Sequence, residues 1–196
     1  MIIFLYLILN IKVKVNIIYV KMYESFELEP SIVESLSEIK SNPVRRRLTR
    51  ELTDLQKMTN NNFLYVQSVE INQKGIPVVT IVDYNTENLN IYEFTTDSYP
   101  FSVPKIKVNS SNYSEFLKIR TLTFQHLLKK IKGIGCFCCN SYLCSDRWSP
   151  ALRFINIIEE IRMFRKYKRE IINKFYADKI KDKYLIADID LDSWLF

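Results

Sequence analysis

Four cysteines fall within nine residues, Cys136, Cys138, Cys139 and Cys144, and the chain has no others. Clustered thiols can act as an acyl-accepting nucleophile, as metal ligands, or as small apolar side chains. A secreted disulfide framework spreads its cysteines over the fold, and the adjacent Cys138 and Cys139 are poorly placed to staple distant segments. The cluster therefore points to a reducing compartment, cytoplasmic or nuclear, holding thiols or a metal site. Cys136-x-x-Cys139 with Cys144 has some zinc character, and His126 is a casual fourth candidate. Zinc sites, however, draw ligand pairs from separated segments. Zinc is the minority reading, and no cofactor or resident metal is expected.

The elements that position this cluster are partly legible. Ile32, Val33, Leu36 and Ile39 recur at helical spacing behind Pro30 and Ser31, which predicts a short amphipathic helix. Asn42-Pro43 then breaks the chain. A second helix is predicted from Val44, with Leu48, Leu52 and Leu55 as its apolar stripe and Arg46, Arg47 and Arg50 facing water. Strand-like runs follow at 63–71, 76–84 and 89–96, the first alternating Phe63, Tyr65, Val69 and Ile71 with more polar neighbours. Turn signals at 72–75 and 85–88 separate them and predict an antiparallel meander.

Pro100 and Pro104 impose an extended, irregular segment. Residues 113–131 mix their periodicities and receive no assignment. Ser149-Pro150 reads as an N-cap followed by proline at the first helical position. Phe154, Ile155, Ile158 and Ile161 give that helix its buried face, with Asn156, Glu159 and Glu160 opposite. A basic helical stretch continues to about Lys183, and the chain closes on an apolar, acidic tail. The fold class is α+β: an N-terminal helix, an antiparallel meander of about four strands, and C-terminal helices on one side.

The 28 basic and 22 acidic residues leave a net charge of +6. That excess suits acidic partner surfaces. It is too small and scattered for nucleic acid, and no aromatic ladder for base stacking joins the basic clusters at 45–50 and 162–174. The heavy use of Asn, Ile, Lys and Tyr reads as the coding bias of an AT-rich genome. The apolar start is too short for a membrane span, and Lys12 and Lys14 interrupt it. It lacks the basic region and cleavage site of a signal peptide. It reads either as an extra strand or as sequence upstream of a true start at Met22. No membrane partner is expected.

Three segments decide the reading: RRLTRELTDL at 46–55, YPFSVPKIKV at 99–108 and WSPAL at 148–152. Taken in that order, around a meander and a cysteine, they resemble the ubiquitin-conjugating enzyme family. The first looks like the family's N-terminal helix, the second like its Tyr-Pro-Phe-x-x-Pro-x-Val segment, and the third is identical to a common family form. The likeness covers about residues 44–165. It implies an N-terminal extension at 1–43, a core domain at 44–165, and a basic helix and tail at 166–196. Consistency of order and spacing across segments gives it weight.

The resemblance implies acyl transfer through a cysteine thioester, with ATP used only by the activating enzyme. Cys138, three residues after Gly135, matches the family's catalytic position, and Cys136, three after Gly133, is the rival. The partners implied are ubiquitin or a ubiquitin-like modifier, an activating enzyme and a ligase. Phe101, Ser149, Pro150 and Ala151 match the ligase-docking surface. Arg46, Arg47 and Arg50 match the activating-enzyme surface. The chain departs from the family in lacking His-Pro-Asn, whose Asn supports the oxyanion; His126 is followed by two leucines, and Asn140 is a weak substitute donor. That departure leaves open a second implication, a catalytically inactive relative that binds ubiquitin or a ligase.

Overall fold

The computed structural model describes residues 27–84, 89–144 and 146–181. The proposed extra strand before Met22, the turn at 85–88 and the acidic tail lie outside them. The architecture is α+β: two helices, a five-stranded antiparallel sheet in the order β1-β2-β3-β4-β5, and four further helices. Five strands replace the four expected, because Ser111–Asn112 folds back on β4 as a two-residue hairpin partner. Two compact units divide the chain at residues 92 and 93, inside β3. Among the described residues, no helix is long and apolar enough to cross a membrane.

In the first unit, α1 (Pro30–Ser37) buries Ile32 and Leu36. The next helix, α2 (Asn42–Asn62), starts two residues earlier than its sequence suggests. Pro43 does not break it, because proline in a first helical turn gives up only an N–H that has no intrahelical partner. Leu48, Leu52 and Leu55 are buried as expected. Arg46 and Arg50 face water, whereas Arg47 is half-buried and pairs with the buried Glu51 one turn on.

Strand β1 (Leu64–Ile71) pairs antiparallel with β2 (Pro77–Asp83). Asn72 closes the hairpin: its Oδ1 accepts from the Lys74 and Ile76 amides at 2.9 and 3.1 Å. The buried face of β1 is Leu64, Val66 and Val69, not the Phe63, Tyr65 and Ile71 set that simple alternation suggests. The register shifts between Val66 and Ser68, so one extra residue restores Val69 to the face that Leu64 occupies. Asp83, fully buried, accepts from Tyr92 Oη at 3.0 Å and so is satisfied inside the unit.

The second unit holds the four cysteines. From β3 (Asn90–Thr95) the chain passes through the Tyr99–Phe101 turn to β4 (Lys105–Val108) and β5 (Ser111–Asn112). Helices α3 (Tyr113–Phe116), α4 (Leu122–Lys132) and α5 (Phe137–Asn140) follow, then the long α6 (Phe154–Lys181). The unassigned stretch 113–131 is thus two helices with a break at 117–121, which accounts for its mixed periodicity. Helix α6 runs unbroken across residue 165.

It also begins later than the Ser149-Pro150 signal implies. Residues 149–152 close a separate turn, with Leu152 N donating to Ser149 O at 2.9 Å. The Asn156 side chain then accepts from Arg153 N at 3.0 Å, which caps the helix there. Its buried face is Phe154, Ile157, Ile158, Ile161 and Phe164, with Ile155 only half-buried. Glu160, which the pattern places opposite the buried face, is buried, and so is Lys168.

Candidate functional site

Cys138 and Cys139 sit on the four-residue helical turn α5, with Cys136 as its cap and Cys144 beyond its end. Helix α4 ends at Gly133, whose φ of 72° closes the helix in a left-handed cap that favours glycine. Three residues on, Cys136 caps α5: its Sγ accepts from the Cys139 amide at 3.2 Å. Phe137 fixes the turn. Its ring is fully buried, 4.7 Å from Phe164 and 6.1 Å from Phe124 between ring centres. With 137 pinned inward, Cys138 and Cys139 are exposed and Cys136 is half-buried.

The three sulfurs lie together. All three Sγ atoms are within 4.8 Å of one another. Cys136 and Cys138 are joined as a disulfide, while Cys139 and Cys144 are free thiols. The sequence argues for thiols or a metal site rather than disulfides, and the structure departs from that expectation at Cys136 and Cys138. The bridge spans one intervening residue, so it staples no separate segments, which is the framework the clustering excludes. Cys144 and His126 stand outside the three-sulfur group, so the described residues assemble no four-ligand zinc set.

Behind the turn lies a residue that sequence reasoning missed. Glu160, only 4% exposed, accepts from Ser141 Oγ and from the Tyr142 amide, both at 2.6 Å, and from Tyr113 Oη at 3.5 Å. Ser141 Oγ in turn accepts from Leu143 N at 3.0 Å. Burial raises the Glu160 carboxyl above its ordinary range, partly offset by these hydrogen bonds and by Arg147. One signal was present in the sequence. Glu160 lies three residues after Ile157 and four before Phe164, so it shares their helix face.

Asn140, the substitute oxyanion donor, is engaged differently. Its Nδ2 donates to the Cys136 carbonyl at 2.8 Å, and its own carbonyl accepts from Arg147 Nη1 at 2.9 Å. It braces the cysteine turn. Below that turn is Lys168, 5% exposed, whose Nζ donates to Phe116 O at 2.7 Å and lies 3.8 Å from the Phe116 ring centre. Burial first, then Arg120 and Arg165, lower its pKa to about 8.

Two of the three family-like segments meet in this unit. Trp148 Nε1 donates to Pro100 O at 2.9 Å, and Tyr99 Oη donates to Leu152 O at 3.4 Å. Tyr99 is fully buried against Phe154, ring centres 5.1 Å apart, and Trp148 is half-buried. The same turn leaves Phe101 75% exposed, with Ser149, Pro150 and Ala151 also at the surface. The remaining segment, 46–55, with Arg46, Arg47 and Arg50, belongs to the other unit.

No family model, curated protein or solved structure matches the chain.

Proposed function

We propose that the second unit, once reduced, carries a ubiquitin-like modifier as a thioester on Cys138, as the resemblance to ubiquitin-conjugating enzymes implies. The observation that carries this reading is the Trp148–Pro100 hydrogen bond. It joins two segments 48 residues apart that resemble the family in sequence, and the residues next in chain to the joined pair, Phe101 and Ser149–Ala151, are exposed. An exposed large aromatic beside a proline turn suits a ligase surface, because rigid aromatic anchors dominate docking energy. An α+β fold with an antiparallel meander is the expected scaffold.

The chemistry uses the Cys138 thiolate. It attacks the modifier's C-terminal carbonyl carbon, held as a thioester on the activating enzyme. A new C–S bond forms and the activating enzyme's thiolate leaves. A substrate amine then attacks the same carbon, loses a proton, and expels the Cys138 thiolate. The bond to Cys136 must be open first, since a disulfide sulfur has no thiolate to offer.

A second reading is favoured by one observation: Asn140 donates to the Cys136 carbonyl, so the amide the sequence offers braces the turn. On that reading the domain binds ubiquitin or a ligase and transfers nothing. The two part in one assay. The reduced chain is incubated with activating enzyme, ATP and ubiquitin, and run on a non-reducing gel. A thiol-labile adduct that Cys138→Ala abolishes and Cys139→Ala retains is the expected result. Loss in Cys136→Ala alone moves the acceptor to Cys136, and no adduct from reduced protein leaves the binding module.

A further inference from the structure

We propose that Cys136, Cys138 and Cys139 form a three-thiolate site for a single copper(I) ion. The site stands on the placement of the sulfurs and not on the transfer reading, although copper and an acyl group would compete for Cys138 Sγ.

Cys136 Sγ lies 3.3 Å from Cys139 Sγ, and Cys138 Sγ lies 3.8 Å from it. With metal–thiolate bonds of about 2.3 Å, three sulfurs around one ion in a plane stand roughly 4 Å apart. The observed spacings need only small side-chain rotations to reach that triangle, plus opening of the Cys136–Cys138 bond. The backbone under the sulfurs is held. Phe137 is buried in the core, Cys139 N donates to Cys136 Sγ, and Asn140 Nδ2 donates to Cys136 O. A turn braced in this way presents its three thiols on one side before any ion arrives.

The donor set selects the ion. Thiolate ligands favour soft ions, copper(I) and zinc above others. Zinc in a structural site takes four ligands in a closed tetrahedron. Here the described group stops at three sulfurs, and neither Cys144 nor His126 belongs to it. Three thiolates suffice for copper(I). They leave zinc an open position facing water, because Cys138 and Cys139 are exposed. The bound complex, one monovalent cation and three thiolates, carries two negative charges. Arg147, held at the Asn140 carbonyl by a 2.9 Å hydrogen bond, supplies positive charge next to the turn.

The chemistry balances. A water-soluble phosphine reduces the Cys136–Cys138 bond: it takes up one water oxygen to leave as its oxide, and the two water protons complete the thiols. Binding then forms three Cu–S bonds and releases three protons.

The test titrates copper(I) into the phosphine-reduced full chain without oxygen, against the coloured chelator bathocuproine disulfonate. The expected result is one copper per chain, at least tenfold weaker binding in Cys139→Ser, and unchanged binding in Cys144→Ser. X-ray absorption of the complex should show three sulfur neighbours. Cys139 is exposed, and far-ultraviolet circular dichroism checks the fold of each variant. Should Cys139→Ser fail to fold, Cys138→Ser carries the same expectation. Copper held equally well without Cys139, copper lost with Cys144, or no copper retained by the parent chain each overturns the site. So does tighter binding of zinc that requires Cys144. The gel assay on Cys139→Ser, which should still load modifier, keeps failure here separate from failure of the transfer reading.

Discussion

Glu160 and Lys168 are ionisable residues buried in the second unit, Glu160 bonded to Ser141 and Tyr142 just after the cysteine turn and Lys168 against the Phe116 and Phe137 rings. Removing the Glu160 carboxylate strands the buried Ser141 hydroxyl and the Tyr142 amide. Glu160→Ala should therefore cost about 3 kcal/mol, since each unsatisfied buried group costs about 1–3. The carboxyl pKa is raised, so the folded chain binds a proton that the unfolded chain has released. Stability from this group is full below its ordinary pKa and is lost as pH rises through the raised one. Urea denaturation should accordingly show the stability deficit of Glu160→Gln shrinking between mildly acid and neutral pH. Lys168 has the opposite sign. Its pKa falls from 10.5 to about 8, worth roughly 3 kcal/mol between the two protonation states. Between those values the unfolded chain holds the extra proton, so the parent gains stability as pH rises from about 8 to 10.5. Lys168→Met should lack that gain when denaturation is compared at neutral and alkaline pH. Glu160 shares a helix face with Ile157 and Phe164, but the partners of neither residue were legible beforehand. A helix pattern places an ionisable side chain by its angle on the wheel, and the partners that make burial tolerable come from loops distant in sequence.

Among the elements, α4 shows why part of the chain resisted reading and the rest did not. Helix α2 announced itself through Leu48, Leu52 and Leu55, and the β1–β2 hairpin through Asn72 to Gly75, because each signal is local and repeats its period. Residues 113–131 hide a helix of 4 residues and one of 11 on either side of a break. A window that straddles both sees no single period. The caps were visible had the boundaries been sought first: Thr121 Oγ1 accepts from Phe124 N at 3.3 Å, and Gly133 closes the other end. Thr121→Ala should cost about 1 kcal/mol through the lost cap. Gly133→Ala should cost about 1–2 kcal/mol, because a Cβ disfavours the left-handed backbone there. Thermal melts of the two variants and their double mutant check both. The sites are ten or more residues apart and cap opposite helix ends, so the losses should add. Strand β1 erred for a different reason. Its bulge at Gln67 shifts side-chain parity, and nothing in the apolar alternation marks where an extra residue sits.

At the scale of the whole molecule, the two proposed docking surfaces fall in different compact units, with Arg46 and Arg50 in the first and Phe101 in the second. Arg47 is discounted, because its guanidinium already pairs with Glu51. If the transfer reading holds, the two surfaces must separate kinetically. Exposed charges act chiefly on encounter with an oppositely charged partner, through the association rate and its salt dependence. Arg46→Glu with Arg50→Glu should therefore slow loading by the activating enzyme about tenfold at low ionic strength. The defect should narrow as salt is added, because screening shortens the reach of surface charges. Phe101→Ala should leave loading untouched. It should instead weaken ligase-stimulated discharge, since an aromatic that is 75% exposed in the free protein has most to bury on docking. Single-turnover loading and discharge, measured separately on gels, read the two effects. A charge-reversal variant that loads at the parent rate at every salt concentration would remove the first unit from the reaction. A Phe101→Ala variant that loads poorly would mean the exposed ring serves the fold or the activating step, and the division of labour between the units would go with it.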